Sequence, residues 1–525
     1  MKAIFDFVEK TCTLTGDVIS NDDKTISVVA SNGTSTAQDV LRSYAEHGIK
    51  CTEHLNGVCA FCLLDSKRQI LLASRDRIGE KSLYYTQLPT SIVVSSELKD
   101  LIPYINHPSI SMYNLTQPIR YNFPIDLQNT WIEQIHRVRA GECIMIDSTG
   151  IQSNLYWKRD HTPTFKRAKQ EALSKALQLL RASVRKSIET ANGPVAILLS
   201  GGIDSTSLAA LAKEILQEVH VISAGYKGNT YTACDERNDA KQFAEEKGLI
   251  YHEVELEVSD FEQALNELMP YLDEPCFDVS CMAQYMLYKK AAEMGFKVIL
   301  SGLGGDEQFY SYAGHHREVE ALQLRRQFNQ LYPIGKHKKQ YLHFLMRHWK
   351  YMLLPTISAR ISDAMLTEWT YKDYKSFTKD AVLNGKRFDE IDEHVSFPED
   401  ITMQGMYDYL TATFAVNMCV YLGNKLCNAN GIELRCPFLA PELVSFLDSL
   451  PMEMKFDISQ PKRFQKEMMK GIVPDFILYA RKRGFEPPFE FIRLIASKYK
   501  YKHIQATHCF YNSMVADRLI EEQLK

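Results

Sequence analysis

A strand that runs directly into a glycine turn constrains the fold of this chain more than any other stretch. Residues 198–205 read LLSGGIDS, between the apolar segment 194–197 and the helix-forming segment 206–212. At such a strand-to-helix corner, two glycines remove the Cβ atoms that would hold an anion off the backbone amides. The start of the helix adds about half a positive charge. The pattern therefore predicts a phosphate-binding corner.

The residues of this corner differ from two common nucleotide-binding patterns. No lysine follows the glycines, and the spacing is not GxGxxG. The acid of the turn, Asp204, can hold a magnesium ion against bound phosphates, because Mg²⁺ prefers carboxylate and phosphate oxygens. The residues predicted to bind the phosphates or the nucleotide here are Leu199, Ser200, Gly201, Gly202, Asp204 and Ser205.

Composition limits the class of protein. A chain of 525 residues is too long for one ordinary core, and its 45% hydrophobic and 24% charged residues are typical of a globular protein. The net charge of -4 predicts no nucleic-acid or membrane surface. The twelve cysteines are scattered, and Cys59 with Cys62 has no second pair that would complete a zinc site. Acidic residues near the amino end and the lack of a long apolar run predict a cytoplasmic protein with reduced thiols.

The two halves of the chain differ in their periodicity. Up to about Trp157 short alternating strands predominate, with one predicted helix over 36–47, which indicates an α+β domain. From about Thr164 helices and strands alternate, which predicts a doubly wound parallel α/β sheet with its ligand site at the carboxyl ends of the strands. We place the domains at 1–160 and 165–525, the second with a helical carboxyl-terminal part.

Eight ordered motifs resemble those of the asparagine synthetases and their relatives, which are N-type ATP pyrophosphatases. Two of them, SGGIDS at 200–205 and SGLGGDE at 301–307, are glycine loops of the second half. The others are LNGVCAF at 55–61, RDRIG at 75–79, SSELK at 95–99, LDEPCFD at 272–278, GIELRCPFL at 431–439 and RKRGF at 481–485. The resemblance implies an amino-terminal Ntn-hydrolase-like glutaminase domain and a synthetase domain that activates a carboxylate with ATP.

Site roles follow from the resemblance. It implies that Asp204 and Asp306 bind Mg²⁺ and that Gly302 lies beside ATP. Lys482 would lie over the reacting α-phosphate, and Lys462 would approach the phosphates, although a solvated surface lysine is an equal alternative for Lys462. Ser223 resembles an adenosine-side position, against the alternative of a serine that satisfies a turn at a strand end.

The amino end departs from the family pattern. Glutamine-dependent members carry a cysteine after the initiator methionine, as the nucleophile for glutamine hydrolysis. Lys2 stands there in this chain, and the family's RGPD and NGE motifs are missing. We therefore expect residues 1–160 to be a degenerate glutaminase domain kept as a structural partner. The chain resembles the glutaminase-deficient branch of the family, which includes β-lactam synthetases and lasso-peptide cyclases.

A second departure concerns the base. The third residue of SGxGGDE is usually acidic in asparagine synthetases, where it takes a proton from ammonia, but Leu303 cannot do so. If a base is still needed, Tyr421 is a candidate, with Glu433 and Asp278 as alternatives. Ala440 and the segment 422–425, which reads LGNK, also depart from the family and indicate a changed acceptor pocket.

The segment 317–350 is rich in basic residues with interleaved aromatics. It either docks an acidic or extended peptide or forms an amphipathic insertion whose charges face water, and we favour the second interpretation.

The expected activity is an AMP-forming amide-bond synthetase with ATP and Mg²⁺ as cofactors. Its substrate would be a small molecule or peptide that carries a carboxylate and an amine, joined in a ring closure of the macrolactam or β-lactam type in antibiotic biosynthesis. A precursor peptide and a protease are the expected partners. The alternatives are amidation of a small acid or sugar carboxylate with ammonia, and a catalytically silent scaffold.

Overall fold

The computed structural model describes two domains with different sheets. The described residues are 1–9, 11–121, 123–227, 236–312, 382–383, 386–387, 403–457, 459–480, 487–488, 491 and 507–524. The strands of the first domain are β1 (Lys2–Asp6), β2 (Thr11–Thr15), β3 (Ile19–Ser20), β4 (Ile26–Ala30), β5 (Phe61–Asp65), β6 (Ile70–Ser74), β7 (Tyr84–Gln87), β8 (Ser91–Ser95), β9 (Ile135–Arg137), β10 (Glu142–Asp147) and β11 (Gly150–Leu155).

These strands form two antiparallel sheets. One has the order β2-β1-β8-β7-β9 and the other the order β11-β10-β6-β5-β4-β3. Alternate residues such as Phe5, Cys62 and Ile144 point into a shared apolar core between the sheets, as expected for two stacked sheets. Helix α1 (Ala37–His47) begins at the capping residue Thr36 and covers the outer face of the second sheet. The predicted α+β architecture of the first domain is confirmed.

The second domain contains a five-stranded parallel sheet. Its strands are β12 (Val195–Leu198), β13 (His220–Tyr226), β14 (Ile250–Leu256), β15 (Val298–Leu300) and β18 (Glu433–Arg435), and a separate short hairpin is formed by β16 (Val382–Leu383) and β17 (Lys386–Arg387). The sheet order is β14-β13-β12-β15-β18, and every described pair is parallel. The order reverses between β12 and β15, so a crevice opens at their carboxyl ends. The predicted doubly wound sheet is confirmed.

Helices flank this sheet and connect its strands. The remaining helices that precede β16 are α2 (Cys51–His54), α3 (Met112–Tyr121), α4 (Lys169–Glu189), α5 (Ile203–Lys213), α6 (Arg237–Lys247), α7 (Val258–Leu268), α8 (Ser280–Glu293) and α9 (Gly305–Gln308). A helix that follows β17 passes from Met403–Leu410 through a π-helical segment, Thr411–Val420, into Tyr421–Ala429. The other helices lie at Pro441–Asp448, Met452–Lys455, Arg463–Met468, Asp475–Leu478 and Thr507–Gln523, and the 3-10 turns lie at Gly48–Lys50, Leu98–Asp100, Ile102–Tyr104, Met269–Tyr271 and Pro437–Leu439.

Two side chains of the first domain donate hydrogen bonds to Glu274, which lies in the turn that precedes α8. Tyr84 donates a hydrogen bond to Glu274 Oε1 at 3.1 Å, and Arg137 Nε donates to the same oxygen at 2.9 Å. Arg137 and Glu274 are both buried, so the two charges of this ion pair neutralise each other away from water. The contact fixes the turn against the first domain.

Asp273, the preceding residue, is held from the same side. The backbone N–H of Leu98 donates to Asp273 Oδ2 at 3.2 Å, and Trp131 Nε1 donates to the Asp273 carbonyl at 2.8 Å. Lys425 of the second domain bridges the carboxylates of Asp273 and Glu97. Burial alone would lower the pKa of Lys425, but the two carboxylates raise it. Lys425 is therefore a charged pin between the domains.

No helix among the residues that the structure describes combines the length and the apolar character needed to cross a membrane.

Candidate active site at the glycine loops

The first glycine loop is closed by its own hydroxyl groups. Ser205 Oγ accepts a hydrogen bond from the Ser200 N–H at 3.1 Å and donates to the Gly202 carbonyl at 3.2 Å. The Gly202 N–H donates to Ser200 Oγ at 3.2 Å. Gly201 adopts a φ of +85°, which favours glycine. The chain therefore turns sharply from β12 into α5.

The amino end of α5 is open to an anion. Its capping residue is Gly202, and no side chain caps the first turn of the helix. The backbone amides of this turn thus keep the partial positive charge of the helix end. Asp204, in the same turn, supplies a carboxylate next to those amides. The loop can accept phosphate oxygens, as the sequence predicts.

The second glycine loop packs directly on Asp204. A Cβ atom at Gly302 would lie 2.9 Å from Asp204 Cβ, and one at Gly305 would lie 2.3 Å from Asp204 Oδ1. Only glycine permits this approach, because real Cβ atoms do not come so close to other heavy atoms. Since β12 and β15 are neighbours in the sheet, the loops that follow them meet. The contact brings Asp306 and Asp204 to the same crevice.

Lys462 joins the two carboxylates. Its ammonium pairs with Asp204, and its Nζ atom lies 2.7 Å from Asp306 Oδ1. The side chain is 7% exposed. Burial alone would lower the pKa of Lys462, but Asp204 and Asp306 raise it. The two carboxylates therefore share one cation, and the alternative of a solvated surface lysine does not fit this position.

Lys462 itself has an unusual backbone. It has a φ of +60° and precedes the helix Arg463–Met468, whose first turn also supplies Gln465. Gln465 Nε2 donates to Asp204 Oδ1 at 2.9 Å. Gln465 was not a sequence candidate, although its place three residues after Lys462, at the start of a helix, was a usable signal. The left-handed backbone turns both side chains towards Asp204.

The chemistry of this donor set fits Mg²⁺ together with phosphate. Asp204 and Asp306 offer hard carboxylate oxygens, and the ammonium of Lys462 shows that both face a common cation position. Among the described residues, no group of three or more His, Cys, Asp or Glu side chains could hold a metal alone. The two carboxylates fit a magnesium ion that takes its other ligands from a nucleotide.

Ser223 is buried at the side of the first loop. Its hydroxyl donates to the Leu199 carbonyl, which lies at the carboxyl end of β12. This hydrogen bond joins β13 to the chain that leads into the glycine loop. The contact is structural, but Ser223 lies in the middle of β13 and not at a strand end, so the expected strand-end position is wrong. A role of Ser223 towards adenosine stays a prediction.

Tyr421 lies at the turn of residues 273–274 and has no described contact with the glycine loops. Its hydroxyl oxygen accepts hydrogen bonds from the N–H groups of Asp273, at 2.9 Å, and Glu274, at 3.0 Å. Burial raises the pKa of Tyr421 well above its usual value. Tyr421 therefore stabilises the turn, and its contacts do not support a role as general base. Such a role stays a prediction.

The two alternative bases also have structural partners. Glu433 pairs with Arg435 through a 2.8 Å contact between Oε1 and Nε. Asp278 Oδ1 accepts a hydrogen bond from the Ser280 N–H at 2.8 Å, where α8 begins. Leu303 is half-buried and packs against the main apolar core, so the third position of the second loop offers no proton acceptor.

The interpretation of the segment 422–425 as a drifted acceptor pocket needs correction. Asn424 Nδ2 donates to the Glu80 carbonyl at 3.0 Å, and Lys81 Nζ donates to Asn424 Oδ1 at 2.8 Å. Lys425 is the charged pin described above. These polar side chains are therefore explained by contacts with the first domain.

The first domain offers no activated thiol among its described residues. Lys2 Nζ donates to the Tyr104 hydroxyl at 3.0 Å, and this contact raises the pKa of Lys2. Burial raises the pKa of Cys12 and of Cys51 to about 12. Thiolate, the reactive form, is thus disfavoured at both sites.

Two predicted features lie outside the described residues. They are Lys482, with the surrounding motif 481–485, and the basic segment 317–350.

Comparison with known proteins decides the family. A family model for asparagine synthase matches residues 175–508, which is more than half of the chain, and a glutamine amidotransferase domain model matches residues 25–157. The chain belongs to the asparagine synthase family. The asparagine synthase match contains both glycine loops, and the amidotransferase match contains the strands β4 to β11 of the stacked sheets. The predicted family is confirmed.

Several relatives cover most of the asparagine synthase-like chain. It is 25% identical over 501 residues to Amidase chyE of Penicillium rubens, covering 87% of this chain and 74% of that protein. It is 23% identical over 500 residues to Amidase chry2 of Gibberella zeae, and the match covers 87% of this chain and 74% of that protein. It is 24% identical over 480 residues to asparagine synthetase [glutamine-hydrolyzing] 3 of Bacillus subtilis, and the match covers 86% of this chain and 70% of that protein.

Proposed function

We propose that the protein is an ATP-dependent ligase that forms an amide through an acyl-adenylate. A substrate carboxylate oxygen attacks the α-phosphorus of ATP, and the bond to the β-phosphate oxygen breaks to release pyrophosphate. The amine nitrogen then attacks the acyl carbon, loses a proton and expels AMP. The observation that carries the proposal is the meeting of Asp204, Asp306 and Lys462 at the carboxyl ends of β12 and β15.

Different residues of the crevice would serve different parts of this reaction. The loop at 200–205 and the amides of the first turn of α5 would bind the phosphates that leave as pyrophosphate. Asp204 and Asp306 would hold Mg²⁺, which neutralises phosphate charge when it is bound. Lys462 brings a buried positive charge to the same place, where negative charge develops on the leaving group. Lys482 is proposed to act at the α-phosphate.

We propose that the substrate itself supplies the amine, in a ring closure of the macrolactam or β-lactam type. The half-buried Leu303 supports this, because an apolar side chain cannot take a proton from ammonia. The raised pKa of the thiols of Cys12 and Cys51 supports a first domain that does not hydrolyse glutamine. The substrate would be a small molecule or a peptide, with a precursor peptide and a protease as possible partners in the cytoplasm.

Amidation of a small acid or a sugar carboxylate with ammonia is the second candidate. The relatives favour it, since two are named amidases and one is named an asparagine synthetase. Both candidates share the adenylate step and differ only in the source of nitrogen. A silent scaffold is disfavoured, because the three residues of the Asp204–Lys462–Asp306 cluster are all present and in contact.

The test uses the purified full chain with ATP, Mg²⁺ and candidate substrates that carry a carboxylate and an amine. The proposal expects pyrophosphate and AMP in equal amounts, and Asp306→Asn should reduce pyrophosphate release by about 10²-fold or more. Lys466→Gln, one helical turn beyond Lys462, is the matched control and should keep the activity. ADP and phosphate as products would overturn the adenylate step.

Isotope labelling separates the two sources of nitrogen. With ¹⁵N-ammonium in the assay, ring closure gives an unlabelled product that has lost one water, whereas ammonia-dependent amidation gives a labelled product. A rate that rises with added ammonium would contradict the substrate-supplied amine.

A further inference from the structure

A cavity of about 180 Å³ lies between the two domains. The first domain contributes the turns at residues 33–34, 57–58 and 80–81 to its lining. The second domain contributes one face of α4 and the segment that follows β18. No residue of the two glycine loops lines it, so this cavity is distinct from the crevice described above.

Glu80 gives this cavity a buried carboxyl group. Its side chain lines the cavity and is 5% exposed. The thiol of Cys436 contacts this carboxyl group, and in the part of the chain that the structure describes its Oε1 atom has no hydrogen-bond partner. A buried polar oxygen without a donor is unfavourable, so a ligand that donates to this carboxyl group would bind favourably. Burial, assisted by the nearby charge of Asp76, raises the pKa of Glu80 to about 8.

Two lysines line the same cavity and retain donor capacity. Lys81 Nζ donates one described hydrogen bond, to Asn424 Oδ1 at 2.8 Å. Lys186 on α4 donates one, to the Asn56 carbonyl across the domain boundary. An ammonium group carries three N–H donors, so each lysine has further donors for an anionic group. The lining thus offers a carboxyl group that can accept and two ammonium groups that can donate.

We propose that this interdomain cavity binds a small zwitterion of amino-acid size. The ammonium of the ligand would donate to Glu80, and its carboxylate would accept from Lys81 and Lys186. The volume fits, because a cavity of about 150 Å³ holds a molecule as large as benzene. Ala182 of α4 lines the cavity and is exposed, so a ligand can enter from solvent. The inference does not depend on the ligase activity proposed above.

The primary test is calorimetric titration of the full chain with the common α-amino acids, one at a time and without ATP. We expect at least one of them to bind. For that amino acid, the analogue without the carboxylate and the analogue without the amine should each bind at least tenfold more weakly. Equal binding of a zwitterion and its amine-only analogue would overturn the proposed contact with Lys81 and Lys186. A lack of binding by every amino acid at millimolar concentration would overturn the proposal as a whole.

Variants connect the binding to the cavity. Glu80→Gln keeps the shape of the side chain and should weaken binding at least tenfold, whereas Glu189→Gln on the exposed surface of α4 should leave it unchanged. Ala182→Phe fills the entrance with a substitution on the surface of a helix and should block binding even if the Glu80 variant folds poorly. Unchanged affinity in Ala182→Phe would place the ligand elsewhere and contradict the proposal.

Proton release gives a readout that a purely structural Glu80 would not change. The charged or titratable groups around Glu80 are Asp76, Lys81, Cys436, Glu433, Arg435 and Lys186. An ammonium ligand favours the ionised form of Glu80, so binding at pH 7 should release protons and tighten as the pH rises towards 8. Titrations in two buffers of different ionisation enthalpy measure this release. Glu80→Gln should abolish it, and equal release in that variant would contradict the contact.

Discussion

Lys462 Nζ lies 2.7 Å from Asp306 Oδ1, in the loop that follows β15. The same ammonium also pairs with Asp204. One ammonium group thus pairs with two carboxylates that come from loops far apart in the sequence. The arrangement makes the cation position testable without any substrate.

Lys462→Met should make the protein sensitive to magnesium. Without the ammonium, Asp204 and Asp306 face each other with like charges, so we expect the midpoint of thermal unfolding to fall. Mg²⁺ should then raise the midpoint of the variant by several degrees more than that of the unaltered protein, in which the ammonium occupies the position. Thermal unfolding with and without Mg²⁺ measures this, and Lys466→Gln is the control. An equal effect of Mg²⁺ on both proteins would show that the carboxylates do not form a cation site.

Gly305→Ala should disturb Asp204 without demanding an unusual backbone. The new Cβ atom would lie 2.3 Å from Asp204 Oδ1, so we expect a loss of about 1–3 kcal/mol in the free energy of unfolding and weaker binding of Mg²⁺–ATP. At Gly202 the nearest contact would be 3.3 Å, and Gly202→Ala should cost less than about 1 kcal/mol. Denaturant unfolding compares the two variants. The contact argument fails if Gly202→Ala is the more damaging change.

Lys425→Met should destabilise the junction of the domains. It leaves the buried Asp273 and the half-buried Glu97 without their cation, and breaking a buried ion pair such as that of Asp273 costs about 3–5 kcal/mol. Lys99, on the same side of the junction, donates only an exposed hydrogen bond to the Pro270 carbonyl. Lys99→Gln should therefore change the free energy of unfolding by less than about 0.5 kcal/mol. A small effect of Lys425→Met in denaturant unfolding would contradict the role of this pin.

His161 should make stability depend on pH. Burial would lower the pKa of His161, but its contacts with Asp408 and Asp448 raise it to about 9, against about 6.5 in the unfolded chain. Its contribution is therefore fully present below pH 6.5 and is lost as the pH rises through 9. The side chain is 23% exposed, so we expect about 2 kcal/mol, less than the whole shift implies.

The measurement is the difference in unfolding free energy between the unaltered protein and His161→Gln at pH 6 and at pH 9.5. Taking this difference removes the contribution of the neighbouring Lys455, whose pKa burial lowers to about 8. The expected difference is large at pH 6 and close to zero at pH 9.5. A difference that grows with pH would contradict the assigned ion pairs.

Local patterns predicted the elements that surround the site. The helix predicted over 36–47 is α1, which begins after Thr36, and Thr36 forms a capping box with Asp39. The strand β12 and the helix α5 follow from the apolar run and the glycine turn. Such elements are encoded by neighbouring residues, so a single sequence is enough to find them.

Relationships across the fold were harder to predict. The place of Gln465 three residues after Lys462 was a signal, but it does not identify Asp204 as the partner, and nothing local indicates the left-handed backbone of Lys462. Both depend on contacts between residues that are 258 or more positions apart in the chain. The π-helical segment 411–420 has an ordinary helical composition. The segment 422–425 was misread because its polar residues suggested a pocket, whereas their partners belong to the first domain.

The contacts of Asp273 and Glu274 bear on whether the second domain can be expressed without the first. Their carboxylates lie against Leu98, Tyr84 and Arg137, so a synthetase domain expressed alone would present bare acidic groups where it now has donors. The first domain thus supplies donors to the turn that leads into α8. We expect the second domain to be less stable when it is expressed without the first than in the full chain.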